Sequence, residues 1–159
     1  MAISRDKESL DVSGTHLWLV MMKAHWALAR VAGSSIRSTG FGRSDFGVLE
    51  ILLHKGPQPV NDVGQRIGLT SGAITTAIDR LEGVQLVTRE AHPTDRRARV
   101  VRLTKEGRRR VTHAFADHSA AMDEVGSALS TSERATLIRL LKKLGGAAAQ
   151  MASQEEAEE

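Results

Sequence analysis

Apolar residues recur at helical spacing over most of the chain, and this pattern predicts a mainly helical protein. A first helix is predicted over residues 15–38, because glycines at positions 40 and 42 end it. A second helix is predicted to begin with Ser44 as its cap and to end at Gly56. The apolar stripe of the first helix consists of Leu17, Val20, Met21, Ala24, Ala27, Leu28 and Val31.

The middle of the chain changes between short helices and extended segments. A short extended piece is predicted at 57–60, followed by helices over 61–67 and 71–83. Two strands are predicted at 86–91 and 98–103, with a loop containing proline and aspartate between them. The helix over 71–83 is predicted to bury Ile74, Ala77, Ile78 and Leu81.

The last third of the chain predicts two more helices. Thr104 opens a long helix that extends to about residue 128. Ser130–Glu133 is a capping box, which starts the final helix. The apolar positions of that helix follow heptad-like spacing and are Leu137, Leu140, Leu141, Leu144, Ala148 and Met151. The order of elements predicts a mainly α fold with a small β hairpin, a winged helix-turn-helix flanked by terminal helices.

Basic residues are concentrated in and after the predicted hairpin. The formal net charge is only +3, yet residues 85–110 hold nine Lys and Arg against three Asp and Glu, a net +6. A solvated basic face is the ordinary interpretation of such a segment. In a winged helix, however, the second helix of the helix-turn-helix enters a major groove, and a basic hairpin reaches the neighbouring minor groove. The position of the charge therefore favours DNA binding.

Composition excludes several classes of function. The 159 residues suit one domain, and the absence of cysteine excludes disulfides, thiolate metal sites and thiol redox sensing. The longest apolar run, Leu17–Met22, is six residues long, whereas a membrane span needs about 20. The first eleven residues do not form a signal peptide, so we expect a cytoplasmic protein. The sequence has no recognisable catalytic motif, so we expect neither an enzyme nor a cofactor.

Four short segments form a combined motif. They are Asp-Arg-Leu-Glu at 79–82, Leu-Val-Thr-Arg at 86–89, Pro-Thr-Asp-Arg-Arg-Ala at 93–98 and Val-Arg-Leu-Thr-Lys-Glu-Gly at 101–107. In this order and spacing they resemble the MarR family of bacterial transcription regulators. The resemblance implies a homodimer on a short pseudo-palindromic operator. It also implies a repressor that a small aromatic or phenolic ligand releases from double-stranded DNA.

The resemblance assigns DNA contacts to the recognition helix and to the wing. On the recognition helix the matching residues are Ser71, Gly72, Ala73, Thr75 and Thr76. In the wing, Arg97 would enter the minor groove, Asp95 would steady it, and Arg96 would face a phosphate. Two positions depart from the family pattern. Thr76 stands where many members carry a basic residue, and Gln85 stands where a glycine usually closes the recognition helix.

The resemblance and the helix pattern together divide the chain into functional parts. These are an N-terminal dimerisation helix (1–43), a winged helix-turn-helix domain (44–104), C-terminal dimerisation helices (105–153) and an acidic tail (154–159). An effector pocket is expected between the dimer helices and the winged helix. Its candidate residues are Met21, Met22, His25, Trp26, Phe41, Phe46 and His113. A methionine and tryptophan cluster is more often core than pocket, so both interpretations stay open.

The six histidines raise the question of a metal site. His113 and Asp117 lie four residues apart and share a helix face, but surface histidine is the ordinary interpretation, so no metal is assigned. Two alternative functions stay open. One is a metal-responsive regulator of the same fold, and the other is a helical protein-interaction module without specific DNA binding.

Overall fold

The protein was analysed as a computed structural model that describes residues 11–91, 94 and 98–158, with side chains to residue 155. The elements are α1 (Gly14–Ser38), α2 (Arg43–Lys55), β1 (Gln58–Pro59), α3 (Val60–Arg66), α4 (Ser71–Gly83), β2 (Val87–Ala91), β3 (Arg99–Leu103), α5 (Lys105–Gly126) and α6 (Thr131–Glu158). Their order and type confirm the mainly α, winged helix-turn-helix prediction. The chain divides into two compact units between Ser119 and Ala120.

The wing is the outer part of a three-stranded antiparallel sheet with the order β1-β3-β2. Val87 of β2 pairs with Leu103 of β3, and Gln58 of β1 pairs with Val101 on the other side of β3. The predicted hairpin is therefore confirmed. The short extended piece before α3 becomes a third strand, where Pro59 is tolerated because β1 lies at the sheet edge.

The core of the first unit lies between α2, α4, the sheet and the start of α5. Helix α4 buries Ile74, Ala77, Ile78 and Leu81, the four residues that its apolar spacing predicted. Helix α2 contributes Phe46, Val48, Leu49 and Leu52, which are also buried. Because α4 is fixed on its apolar side, its opposite side faces solvent in a defined orientation.

The start of α2 differs from the prediction. The helix begins at Arg43, and its cap is Gly42, which offers no side-chain hydrogen bond. Ser44 therefore does not cap the helix, and its hydroxyl instead accepts a hydrogen bond from Nη2 of Arg80 at 3.3 Å. The first turn is left with unpaired backbone N–H groups and an acidic residue, Asp45, which suits the positive end of a helix.

The end of α4 is reshaped where the sequence departs from the family pattern. The helix ends at Gly83, and Gln85 takes a φ of 59°, in the left-handed region that favours glycine. The backbone N–H of Gln85 donates to the carbonyl of Glu82 at 2.9 Å, and that of Leu86 donates to Leu81 at 2.9 Å. These bonds close the helix as a glycine would, with a glutamine in a strained conformation.

Replacing Gln85 with glycine is expected to raise the free energy of unfolding by about 0.5–1 kcal/mol. The left-handed conformation costs a non-glycine residue about 1–2 kcal/mol, and the greater flexibility of glycine in the unfolded chain offsets part of the gain. Urea unfolding followed by circular dichroism measures the change. Gln85→Ala keeps the strain and serves as the control, so equal stability of the two variants would contradict the explanation.

The start of α5 is locked against the turn that follows α4. Thr104 caps α5 by accepting from the N–H of Gly107 at 2.9 Å, and its hydroxyl donates to the carbonyl of Gln85 at 2.8 Å. The N–H of Thr104 donates to the carbonyl of Leu86 at 3.0 Å. A Cβ atom on Gly107 would lie only 1.9 Å from that carbonyl oxygen. This close approach of two backbones therefore requires glycine.

The second unit contains the end of α5 and all of α6. The capping box is confirmed, because the N–H of Ser130 donates to Glu133 at 2.8 Å and its hydroxyl also donates to that carboxylate. These hydrogen bonds lower the pKa of Glu133 below its ordinary value. None of the α6 residues with a described side chain is buried, and its large apolar residues are exposed. None of the described helices has the length and the apolar composition that a membrane span requires.

Candidate nucleic-acid interface

The solvent-facing side of α4 consists of small polar residues at its N-terminal end. All five residues that the sequence assigned to DNA contact on this helix are exposed, namely Ser71, Gly72, Ala73, Thr75 and Thr76. Thr70 caps the helix by accepting from the N–H of Ala73 at 3.3 Å. Because these side chains are small, the helix backbone can come close to the surface of a binding partner. The positive end of the helix dipole favours a negative group such as a phosphate.

The two threonines present acceptors and methyl groups rather than donors. The hydroxyl of Thr75 donates to the carbonyl of Ser71 at 2.9 Å, and that of Thr76 donates to Gly72 at 3.0 Å. Each hydroxyl oxygen keeps lone pairs that can accept from adenine N6 or cytosine N4, and each methyl can contact a thymine methyl. These side chains are therefore suited to read base edges in a major groove.

Arg89 of β2 fixes the wing strand to the recognition helix. Its Nη1 lies 2.7 Å from Oε2 of Glu82, and its Nη2 lies 2.5 Å from Oδ1 of Asp79. Nη2 also donates to the carbonyl of Thr75 at 3.3 Å, and the backbone N–H of Arg89 donates to Glu82 at 3.1 Å. One side chain thus bridges β2 and three positions of α4, with 23% of its surface exposed.

Arg80 fixes the other side of α4 to the start of α2. Its Nε and Nη2 both donate to the carboxylate of Asp45, with the shortest distance 2.5 Å. Hydrogen bonding to Asp45, and then the attraction between the two charges, raises the pKa of Arg80 above its ordinary value. Sequence reasoning missed the positioning roles of Arg80 and Arg89. The signal was present, because both arginines lie in the motif segments 79–82 and 86–89.

The tip of the wing lies outside the described residues. This applies to Asp95, Arg96 and Arg97, so their DNA contacts stay predictions. The strands that lead to the tip are described, and exposed basic residues continue along them. Arg99 is exposed at the start of β3, and Arg102 pairs with Glu90 across the hairpin at 3.3 Å. The basic hairpin and the polar side of α4 belong to one connected surface, because Arg89 joins them.

Comparison with known proteins identifies the family. The sequence model of the MarR family matches residues 42–98. The HTH-type transcriptional regulator MhqR of Bacillus subtilis is 37% identical over 129 residues, which cover 81% of this chain and 89% of MhqR. The chain belongs to the MarR family. Another B. subtilis relative, the uncharacterized HTH-type regulator YkoM, is 32% identical over 91% of this chain and 94% of its own length. This MarR-family chain is therefore a transcriptional regulator.

Solved structures show the same fold. A MarR variant from E. coli complexed with operator DNA has a TM-score of 0.70 at 23% identity, and covers 80% of this chain and 92% of its own. Bordetella bronchiseptica BpsR has a TM-score of 0.71 at 22% identity, over 82% of this chain and 98% of its own. At these identities the likeness shows the MarR-family fold alone, and it agrees with the element order described above.

The seven residues suggested for an effector pocket do not form one cavity in the MarR-family chain. Phe46 is buried in the core, where its ring meets that of His118 edge-on at 5.2 Å. Phe41 and His113 line a cavity of about 340 Å³, and Trp26 lines a different one. Met21 and Met22 are half-buried, whereas His25 is exposed. Their joint role in ligand binding stays a prediction.

The histidine pair considered for metal binding is exposed. Nε2 of His113 lies 3.7 Å from Oδ2 of Asp117, and 84% of the histidine side chain is accessible. In the part of the chain that the structure describes, no group of three His, Asp or Glu residues is placed to hold a metal ion. A second histidine contact has a structural role, because Nδ1 of His118 lies 2.7 Å from the hydroxyl of Ser35 and joins α5 to α1.

Proposed function

We propose that this MarR-family regulator is a homodimeric repressor that binds a pseudo-palindromic operator. The observation that carries the proposal is the exposed polar side of α4, whose small residues are joined to a basic hairpin through Arg89. Each protomer would place α4 in a major groove and Arg97 in the adjacent minor groove. The likeness to E. coli MarR, solved with operator DNA, supports this docking. Acting on DNA would place the protein at the bacterial nucleoid in the cytoplasm.

The dimer is proposed from the exposed apolar sides of α1 and α6. Leu17, Trp18 and Val20 of α1 are at least half exposed, and Leu140, Leu141 and Leu144 of α6 are 39–48% exposed. Isolated exposed leucines are common, but rows at helical spacing on two helices indicate a contact surface. We therefore keep the division into dimerisation helices (1–43 and 105–153), DNA-binding domain (44–104) and tail (154–159).

Ligand control is proposed as the second half of the function. A small aromatic molecule would bind between the dimerisation helices and the DNA-binding domain and release the operator. BpsR, a relative of similar fold, has its DNA binding regulated by 6-hydroxynicotinic acid, which supports ligand control in this chain. We assign no reaction to this chain, because the exposed side of α4 and the basic hairpin are suited to binding DNA.

A DNA titration tests the proposal directly. Fluorescence anisotropy compares the duplex upstream of the protein's own gene with a scrambled duplex, at two salt concentrations. We expect tight binding to the upstream duplex alone, and a loss of affinity of roughly a thousandfold between 50 and 200 mM salt if at least six phosphates are contacted. Equal, weak binding to both duplexes would contradict a specific regulator, and heteromer formation without DNA affinity would favour a protein-interaction module.

Replacing Arg97 with alanine tests the wing in the same assay. We expect the affinity for the upstream duplex to fall about tenfold or more, because a narrow minor groove holds an arginine electrostatically. Arg139→Ala, an exposed position on α6, is the matched control for the loss of one positive charge. Unchanged affinity in a folded Arg97→Ala variant would remove the wing from the proposed interface.

A further inference from the structure

The exposed apolar row of α6 ends in glutamate. Its members are separated alternately by four and three residues, and they are Leu137, Leu141, Leu144, Ala148 and Met151. This alternation is the spacing by which one helix packs along another. The same alternation continues to Glu155 and Glu158, where α6 ends. A helix that packs along this row would therefore reach acidic positions at the end of the row.

The glutamates at the end of α6 are not compensated by charges in their own segment. Residues 144–159 contain four Glu and no Lys or Arg. The negative end of a helix disfavours acidic residues, and like charges three or four positions apart, such as Glu155 and Glu158, repel each other. A cation from another surface would relieve both effects. The end of α6 therefore combines an apolar row with a preference for a positively charged partner.

Helix α1 carries a cationic row beside its own exposed apolar row. Lys23, Arg30 and Arg37 recur every seven residues and are exposed, so they lie along one side of the helix. Lys23 and Arg30 each directly precede a member of the apolar row, a position that flanks the contact when two helices pack together. Helix α1 contains neither aspartate nor glutamate. The exposed members of its apolar row with alternating spacing are Leu17, Val20, Ala24, Ala27 and Val31.

The basic residues of α6 are placed differently from those of α1. Arg139, Lys142 and Lys143 lie on the polar side of α6, away from its apolar row. They therefore do not flank a helix that packs along that row. On α1, by contrast, the cationic row and the apolar row form one surface without an acidic residue. This surface complements α6 in both apolar character and charge.

We propose that α1 of one copy packs along the apolar row of α6 of a second copy, with the acidic end of α6 beside the cationic row of α1. The contact occurs twice in a symmetric dimer, because each copy supplies one α1 and one α6. A single exposed ion pair stabilises little, but several opposite charges beside an apolar contact select the partner and fix its register. This inference rests on the proposed dimer and names the two surfaces that meet in it.

Two charge-reversed variants of the full chain test the pairing. Lys23→Glu with Arg30→Glu makes the row on α1 acidic, and Glu155→Lys with Glu158→Lys makes the end of α6 basic. We expect each variant alone to dimerise about tenfold more weakly or worse, because like charges would then meet. Sedimentation analysis measures the dissociation constant. Lysine suits the negative end of a helix better than glutamate, so circular dichroism should show no loss of helix in the α6 variant.

Mixing the two variants distinguishes a contact between copies from a contact within one chain. In an equimolar mixture, each α1–α6 contact between the two variants regains opposite charges. We expect the mixture to form a heterodimer with a dissociation constant within about threefold of that of the unaltered protein. Lys142→Glu with Lys143→Glu, on the polar side of α6, reverses the same number of positive charges as the α1 variant. This matched control should dimerise like the unaltered protein.

Three outcomes would overturn the pairing. Either charge-reversed variant dimerises like the unaltered protein, or the control is weakened as much as the α1 variant, or the mixture dimerises no better than the separate variants. Recovery in one chain that carries all four changes, without recovery in the mixture, would assign the contact to a single chain. A monomeric unaltered protein would also contradict the proposed dimer, whereas a dimer that is insensitive to these charges would contradict only this pairing.

Discussion

Replacing Gly107 with alanine is expected to lower the free energy of unfolding by about 3 kcal/mol or more. The added Cβ would lie 1.9 Å from the carbonyl oxygen of Leu86 and 2.8 Å from its carbon. Both obstructing atoms are backbone, so no side-chain rotation relieves the overlap, and the cost reaches the upper end of that for overpacking. The start of α5 would have to move away from the turn after α4. Urea unfolding followed by circular dichroism measures the loss.

Gly146→Ala is the matched control for this prediction. Gly146 lies within α6, and its Cβ would meet no atom within 4 Å outside the neighbouring helix backbone. Alanine there should raise helix stability by up to about 1 kcal/mol. If Gly107→Ala were as stable as Gly146→Ala, the two backbones could not be in the close contact described. A second readout is operator affinity, which should fall with Gly107→Ala because α5 and the turn after α4 share hydrogen bonds.

Replacing Leu144 with glutamate is expected to convert the proposed dimer to a monomer at micromolar concentration. Leu144 is 39% exposed and lies in the apolar row of α6, so a charge there would be buried in the proposed interface without a partner. Operator affinity should fall about a hundredfold or more, because two linked half-site contacts become independent. Sedimentation analysis and anisotropy on the upstream duplex measure the two effects.

Arg139→Glu separates loss of the dimer from a general effect of charge. Arg139 lies on the polar side of the same helix, and the variant adds the same negative group. We expect it to remain a dimer. A Leu144→Glu variant that stays dimeric with unchanged operator affinity would contradict the assignment of α6 to the dimer contact. A monomer that keeps full affinity would contradict the need for two half-sites.

Helices whose apolar residues recur at a regular spacing were predicted well from the sequence. The buried residues of α4 and the capping box of α6 were identified from spacing and local chemistry alone. These features depend on residues within one or two turns, so short-range rules suffice. The predicted cap of α2 was wrong, because Ser44 contacts Arg80, which lies 36 positions away in the sequence. Such a contact does not appear in a local pattern.

Places where two backbone segments come very close could not be predicted from the sequence, for a related reason. A Cβ on Gly64 would lie 3.1 Å from Cγ2 of Ile74, because α3 and α4 pack closely there, and the sequence does not show this contact. Gly107 gave no signal beyond its place in the family motif. For the candidate interface, the exposed residues of α4 were anticipated, whereas Arg80 and Arg89 were not. Their roles depend on carboxylates that the fold brings to them from other elements.

The bridge that Arg89 makes between β2 and α4 has a consequence for how affinity can be tuned. In the proposed complex with DNA, this bridge would fix the distance between α4 and the base of the wing within each protomer. In the proposed dimer, the separation of the two α4 helices would still be able to vary, and it would have to match about 34–36 Å on B-form DNA. The proposed ligand would then not need to contact α4 or the wing. A change in that separation alone would prevent one protomer from fitting its major groove while the other protomer is bound.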